Sequence, residues 1–192
     1  MFSSESNKFL ICGLGNIGDE YANTRHNVGF LVLQALAMDL KVAFKSGRLA
    51  DVAKARFKGK NLTLIKPTTY MNLSGKALKY WITAEDIPME NVLVVTDDIA
   101  LPLGTLRMKK KGGDAGHNGL NNIIMSLNTE EFPRLRIGIG NDFAKGHQVD
   151  YVLGKWTKAE EPVMIEKINK AVEAIKSFIF EGADKAMNQY NN

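Results

Sequence analysis

Apolar residues fall along this chain in two rhythms: short unbroken runs, and longer stretches at helical spacing. Lys8–Leu14 is short, apolar and punctuated by glycine, the pattern of a buried strand. Asn91–Thr96 (Asn-Val-Leu-Val-Val-Thr) is a β-branched run suited to a central strand. Thr105–Lys109 and Arg134–Ile139 read as further strands, and Leu49–Phe57 with Asn61–Lys66 as a hairpin turning at Lys58-Gly59-Lys60. Helical spacing over Val28–Leu40, Ser74–Thr83, His117–Leu127 and Lys158–Phe180 predicts helices, with a short last one over Asp184–Tyr190. Strands alternating with helices define the α/β class, and the hairpin makes the sheet mixed. The expected architecture is a single layered domain over residues 1–192, with a central twisted mixed sheet flanked by helices on both faces.

Composition changes this picture little. A chain of 192 residues suits one domain and can bury about 70% of its unfolded surface without disulfides or a structural metal. The lone cysteine, Cys12, sits in the apolar run Phe9-Leu10-Ile11-Cys12, so no intrachain disulfide can form and it reads as a small core residue. Met1–Lys8 is polar and lacks a basic-then-apolar signal pattern, and no stretch approaches the ~18–20 apolar residues of a membrane span. Together these features point to the cytoplasm.

Charge is distributed unevenly. Residues 41–79 hold ten Lys/Arg against one acid, Asp51, and residues 104–112 add Arg107, Lys109, Lys110 and Lys111. Residues 80–103 carry five acids and no Lys or Arg. Such clustering suits a polyanion-facing surface, although solubilising lysines on an exposed hairpin would leave the same pattern.

Gly13-Leu14-Gly15-Asn16-Ile17-Gly18 formally fits the G-x-G-x-x-G dinucleotide pattern. That fingerprint needs a helix opening at the glycines, whereas helical spacing here begins only near Val28. The histidines His26, His117 and His147 fit no zinc spacing, and no G-x-S-x-G elbow is present. His26 lies in the polar string Thr24-Arg25-His26-Asn27; His117 stands at a helix start, where it or Asn118 could cap. Asp97, at the exit of the Asn91–Thr96 strand, could accept from an imidazole Nδ1–H and fix its tautomer; Asp97-Asp98 could alternatively hold a hard cation. Histidine activating water is then the simplest hydrolytic chemistry. Asn16, Asn72 and Asn118 recur at turns, and their amides could hold a peptide group or donate to an oxyanion.

These segments together resemble bacterial-type peptidyl-tRNA hydrolase. The matching strings are Gly13-Leu14-Gly15-Asn16 with Gly18 and Tyr21, Thr24-Arg25-His26-Asn27 with Gly29, and Lys66-Pro67-Thr68-Thr69-Tyr70-Met71-Asn72-Leu73-Ser74-Gly75. Asp97-Asp98 with Leu101-Pro102 and Gly104, Gly116-His117-Asn118-Gly119-Leu120, and Arg134-Leu135-Arg136-Ile137-Gly138-Ile139-Gly140 follow in family order. Asp114 and Ala100 depart from the family pattern. The resemblance implies hydrolysis of the ester joining a peptide to the 3′ end of tRNA, by a monomer without metal or cofactor. It implies that His26 activates water, that Asp97 orients His26, and that Asn16, Asn72 and Asn118 surround the ester. It further implies that Tyr21 and Tyr70 line the crevice, and that the Arg107–Lys111 run and Arg136 contact acceptor-stem phosphates. A non-catalytic RNA-binding module, argued from the basic 41–79 segment, and an NAD-dependent enzyme, argued from Gly13–Gly18, are the competing readings.

Overall fold

The computed structural model describes residues 6–192, so Met1–Glu5 of the polar Met1–Lys8 segment lie outside the described residues. Strand β1 (Lys8–Gly13) runs through the middle of the sheet, and alternation sorts its side chains between two cores. Phe9 and Ile11 face one core; Leu10 and Cys12 face the other. β5 (Val92–Asp98) divides the same way, with Leu93 and Val95 opposite Val92 and Val94. An unbroken apolar run is therefore what a strand covered on both faces requires. Burial pushes the Cys12 thiol far up from its ordinary value, as suits a packing residue.

The remaining strands are β2 (Lys45–Ser46), β3 (Ala50–Phe57), β4 (Lys60–Pro67), β6 (Leu106–Lys109) and β7 (Arg134–Gly138). The seven strands lie in the order β2-β3-β4-β1-β5-β7-β6. The four central strands are parallel, while β2, β3 and β6 pair antiparallel, giving the expected mixed sheet. Helices α1 (Val28–Asp39), α5 (Glu160–Glu181) and α6 (Ala183–Tyr190) cover one face. α2 (Ser74–Glu85) and α3 (Asn118–Leu127) cover the other.

Two elements escaped the sequence reading. β2 is two residues long, and α4 (Gln148–Val152) forms one helical turn with no buried residue. Neither is long enough to establish a hydrophobic period. β2 pairs with the neighbouring β3, whereas α4 is contacted by Arg25 from far along the chain.

The sheet order also separates the basic segments. β3 and β4 lie toward one edge and β6 forms the other, with β1, β5 and β7 between them. Hairpin cations are partly engaged, Lys54 with Glu85 at 2.5 Å and Lys58 over the Phe180 ring. The outer edge of β6 is covered by Asn191 and Asn192. Their side-chain oxygens accept from Met108 N–H at 2.6 Å and Leu106 N–H at 2.9 Å, imitating a neighbouring strand.

Parallel pairing brings the carboxyl ends of β1, β4, β5 and β7 to one side of the sheet. Ligands of open α/β sheets bind outside those ends. α1 presses close to β1 there, because a Cβ on Gly29 would lie 2.5 Å from Leu14 backbone atoms and 2.6 Å from the Val95 carbonyl. Of the first-loop glycines, Gly13 serves this backbone approach, Gly15 makes room for the Phe30 ring, and Gly18 takes φ 110. No helix opens on them: 3-10 turns at Asp19–Tyr21 and Arg25–Asn27 intervene before α1.

Candidate active site

Asp97 is the penultimate residue of β5 and lies inside the fold, with its side chain only 2% exposed. An isolated carboxylate there would be costly, and it is compensated by a donor on each oxygen. His26 Nδ1–H donates to Oδ2 at 2.8 Å, and His117 Nε2–H donates to Oδ1 at 2.8 Å. Burial by itself would raise the Asp97 carboxyl. The neighbouring imidazoles, through charge and these hydrogen bonds, outweigh it and hold the group well below the usual carboxylate range.

The two imidazoles differ in what their second nitrogen does. His117 caps α3: its Nδ1 accepts from the backbone N–H of Gly119 at 3.1 Å and Leu120 at 3.2 Å. That nitrogen therefore carries no proton, so the ring proton sits on Nε2, shared between Asp97 and Thr96 Oγ1 at 2.8 Å. His26 has its Nδ1 proton committed to Asp97, while its Nε2 makes no hydrogen bond to the described protein and the ring lines a cavity. One histidine is locked; the other presents a lone pair to solvent. Their ring centroids stand 4.9 Å apart.

His26, Asp97 and His117 could formally supply three metal-ligand atoms. In a tetrahedral site with ligands at about 2.1 Å, neighbouring donor atoms stand roughly 3.4 Å apart. Here both nitrogen–oxygen separations are 2.8 Å, hydrogen-bond lengths that leave no room for an ion between them. The donor set fits a proton relay better than a metal.

The cavity is lined by His26, Asp97 and His117 together with Asn118, Arg136 and the α4 residues Gln148, Val149 and Val152, among others. Of the other candidate residues, Asn118 alone shares this lining. Asn16, Tyr21, Tyr70 and Asn72 stand outside it. Met71, in the middle of the Tyr70–Asn72 turn, nonetheless lies near His117, because a Cβ on Gly119 would lie 2.6 Å from Met71 Sδ and 3.0 Å from His117 Cε1.

Asn16 holds that turn. Its Oδ1 accepts from Met71 N–H at 2.8 Å, and Asn27 clamps it reciprocally, accepting from Asn16 N–H and donating to Asn16 C=O at 2.8 Å each. The bond to Met71 secures Tyr70 at φ 62, ψ 161, a left-handed backbone conformation that costs a non-glycine residue on the order of 1–3 kcal/mol. Tyr70 is exposed as a result, and Asn72 beside it keeps its amide unbonded among the described residues, as does Asn118. Tyr21 is half-buried at the end of its 3-10 turn, where its carbonyl accepts from Thr24 Oγ1.

Several participants were not legible. The sequence offered capping for His117, which is correct, but gave no sign that its other nitrogen reaches Asp97. Asn27 as the clamp on Asn16, and Thr96 beside His117, were equally silent. Arg136, expected to meet phosphates, has its side chain only 11% exposed, with one nitrogen donating to Gly113 C=O at 2.7 Å and another 3.6 Å from Asp98. Arg107 donates to Asn192 C=O and Lys110 pairs with Asp184, which leaves Lys109 and Lys111 as the cations of that run with neither a side-chain hydrogen bond nor an ion pair among the described residues.

The chain is similar to known proteins along nearly its whole length. The chain matches the peptidyl-tRNA hydrolase family over residues 10–192. A Phocaeicola vulgatus protein named peptidyl-tRNA hydrolase is 55% identical over 184 residues, spanning 96% of this chain and 98% of that protein. A Porphyromonas gingivalis protein of the same name is 54% identical over 184 residues, spanning 96% and 100%. The crystal structure of peptidyl-tRNA hydrolase from Acinetobacter baumannii superposes with a TM-score of 0.92 at 36% identity, over 98% of this chain and 97% of that one. On sequence across nearly its whole length, and on fold, the chain belongs to the peptidyl-tRNA hydrolase family.

Proposed function

We propose that this protein hydrolyses the ester between a peptide, or an N-blocked amino acid, and the 3′ end of tRNA, with His26 as the base. The observation that carries the reading is His26 itself: Nδ1–H bonded to a buried carboxylate at 2.8 Å, Nε2 open to a cavity. In that tautomer Nε2 accepts a proton from water as the oxygen attacks the ester carbonyl. Asp97 stabilises the imidazolium that forms. The same proton is then delivered to the departing ribose oxygen. General base catalysis of this kind contributes typically ~10²–10⁴-fold.

The unbonded amides of Asn118 and Asn72 suit the carbonyl oxygen, which becomes anionic in the transition state, and the neighbouring peptide group. A free amino acid offers an ammonium where these amides expect a peptide bond, which supports preference for peptidyl over aminoacyl esters. Asn16 acts in this reading by holding the Tyr70–Asn72 turn, and Tyr21 and Tyr70 flank the entry of substrate. Lys109 and Lys111 suit acceptor-stem phosphates. The protein works as a monomeric single domain in the cytoplasm, without metal or cofactor. Among the described residues, no helix is long and apolar enough to cross a membrane.

The test is release of N-acetyl-amino acid from N-acetyl-aminoacyl-tRNA with chelator present. Wild-type protein should turn over at an undiminished rate, and His26→Ala should lose at least ~10²-fold in kcat while keeping its fold. Turnover by His26→Ala within threefold of wild type would remove His26 from the reaction.

A further inference from the structure

The α4 turn forms one wall of the cavity, with Gln148, Val149 and Asp150 exposed and Tyr151 and Val152 half-buried. It buries no residue, and the chain leading into it passes through Gly140 and Gly146 at φ 74 and 86. Its own attachments are Tyr151 and Val152 packed against the core, Tyr151 Oη–H donating to Ile139 C=O at 2.6 Å, and the Tyr151 ring 5.0 Å from that of Phe143. The remaining grip comes from Arg25, the residue immediately before His26.

Arg25 is 7% exposed. Its Nη1 donates to Tyr151 C=O at 3.1 Å, and its Nη2 bonds Glu160 Oε2 at 2.9 Å. The guanidinium plane lies 4.2 Å from the Tyr151 ring centroid and 5.6 Å from that of Trp156. Its backbone N–H donates to Gly154 C=O at 3.0 Å, and Thr24 forms a β-bridge with Lys155. Gly154 is required there, since a Cβ would come within 2.9 Å of Nη1. Arg25 Nε, meanwhile, is buried without a partner. A side chain chosen only for stability would avoid an unsatisfied buried donor. The fork instead reaches the end of α4 and the start of α5 at once.

We propose that Arg25 is a positioning residue, which fixes the α4 wall at working distance from the His26 base. The proposal rests on His26 being that base. α4 contributes Gln148, Val149 and Val152 to the cavity, so any drift of α4 widens the space in which water and ester must meet. The same guanidinium anchors the 3-10 turn carrying His26, so the drift reaches the imidazole too. Misplacement of about 1 Å by a change outside the chemistry can cost ~10²-fold. Lysine cannot replace the fork: a single ammonium neither bridges Tyr151 C=O and Glu160 through two nitrogens nor offers a delocalised planar cation to the Tyr151 ring.

The experiment compares wild type, Arg25→Lys, Glu160→Gln and His26→Ala on N-acetyl-aminoacyl-tRNA, with rates expressed per folded molecule. Hydrogen exchange of the Tyr151–Gly154 amides is followed alongside. Arg25→Lys should lower kcat by about 10–100-fold and leave KM within about twofold, because cations elsewhere hold the tRNA. Its α4 amides should exchange faster. Glu160→Gln, which keeps one acceptor for the fork, should lie between it and wild type. Wild-type kcat in Arg25→Lys, or a kcat loss with α4 exchange unchanged, overturns the positioning role. If Arg25→Lys is slow while His26→Ala stays active, the reading of His26 fails instead. A loss only of folded fraction, with kcat per folded molecule intact, would show Arg25 to be merely structural.

Discussion

Asn in place of Asp97 preserves the side chain's shape but exchanges one acceptor for a donor, and His117 decides which way the new amide turns. If the amide NH2 faced His117, Nε2 would have to accept, and the ring proton would move to Nδ1. That nitrogen already receives two backbone N–H groups at the start of α3, Gly119 at 3.1 Å and Leu120 at 3.2 Å. Losing both bonds and leaving the donors unsatisfied costs on the order of 2 kcal/mol or more, a preference of roughly 30-fold. The NH2 therefore faces His26 and forces its proton onto Nε2. The lone pair that would take a proton from water is gone, whereas the cavity and the tRNA-binding surface are untouched. Asp97→Asn should lower kcat by about 10²–10⁴-fold with KM changed less than about threefold. Release of N-acetyl-amino acid measures the rate, and nitrogen NMR of the His26 ring reads the tautomer. Adding His117→Ala frees the amide to rotate, so the double variant should be no slower than Asp97→Asn. An Asp97→Asn enzyme that keeps a tenth of its kcat, or a ring still protonated at Nδ1, would refute the reasoning.

Asp97 also carries a pH signature. Its folded value is depressed, so its ionisation stabilises the fold above the ordinary carboxylate pKa of about 3.9 and that contribution is lost as pH falls through the folded value. Asp97→Asn should therefore flatten the decline of stability below about pH 4; denaturant titrations with unchanged slope would contradict this. Gly29→Ala drives a Cβ to 2.5 Å from Leu14 backbone atoms and should cost about 3 kcal/mol or more, read as a lowered Tm; a melt within 2 °C of wild type would contradict the close approach of α1. Lys109→Ala and Lys111→Ala should each reduce the slope of log affinity against log salt by about 0.7–0.9, while an unchanged slope would remove that lysine from the phosphate surface. Asn191→Ala with Asn192→Ala should speed amide exchange at Leu106 and Met108, and protection equal to wild type would mean the edge is covered otherwise.

The order and type of the long elements could be read directly along the chain, because each is long enough for its own period to show. β1 and β5 announced burial on both faces by unbroken apolar runs, and α5 by helical spacing across 22 residues. Asp97 was legible for the same reason: it stands where the strongest strand stops. The pairing of His26 with Asp97 came from residue chemistry and family resemblance, and the folded chain brings the two within 2.8 Å across 71 positions.

What no reading along the chain supplied is which groups converge from different elements. A one-turn helix such as α4 has too few residues to carry a period, and one of its contacts comes from Arg25, 126 positions from Tyr151. The split of the basic segments between opposite sheet edges likewise follows from strand order, which local pattern does not encode. The same holds for His117, whose two nitrogens serve a local cap and a distant carboxylate at once. Sequence determines local conformation and burial through side-chain volume and polarity; the partner on each hydrogen-bonding atom is set only when packing brings remote strand ends together.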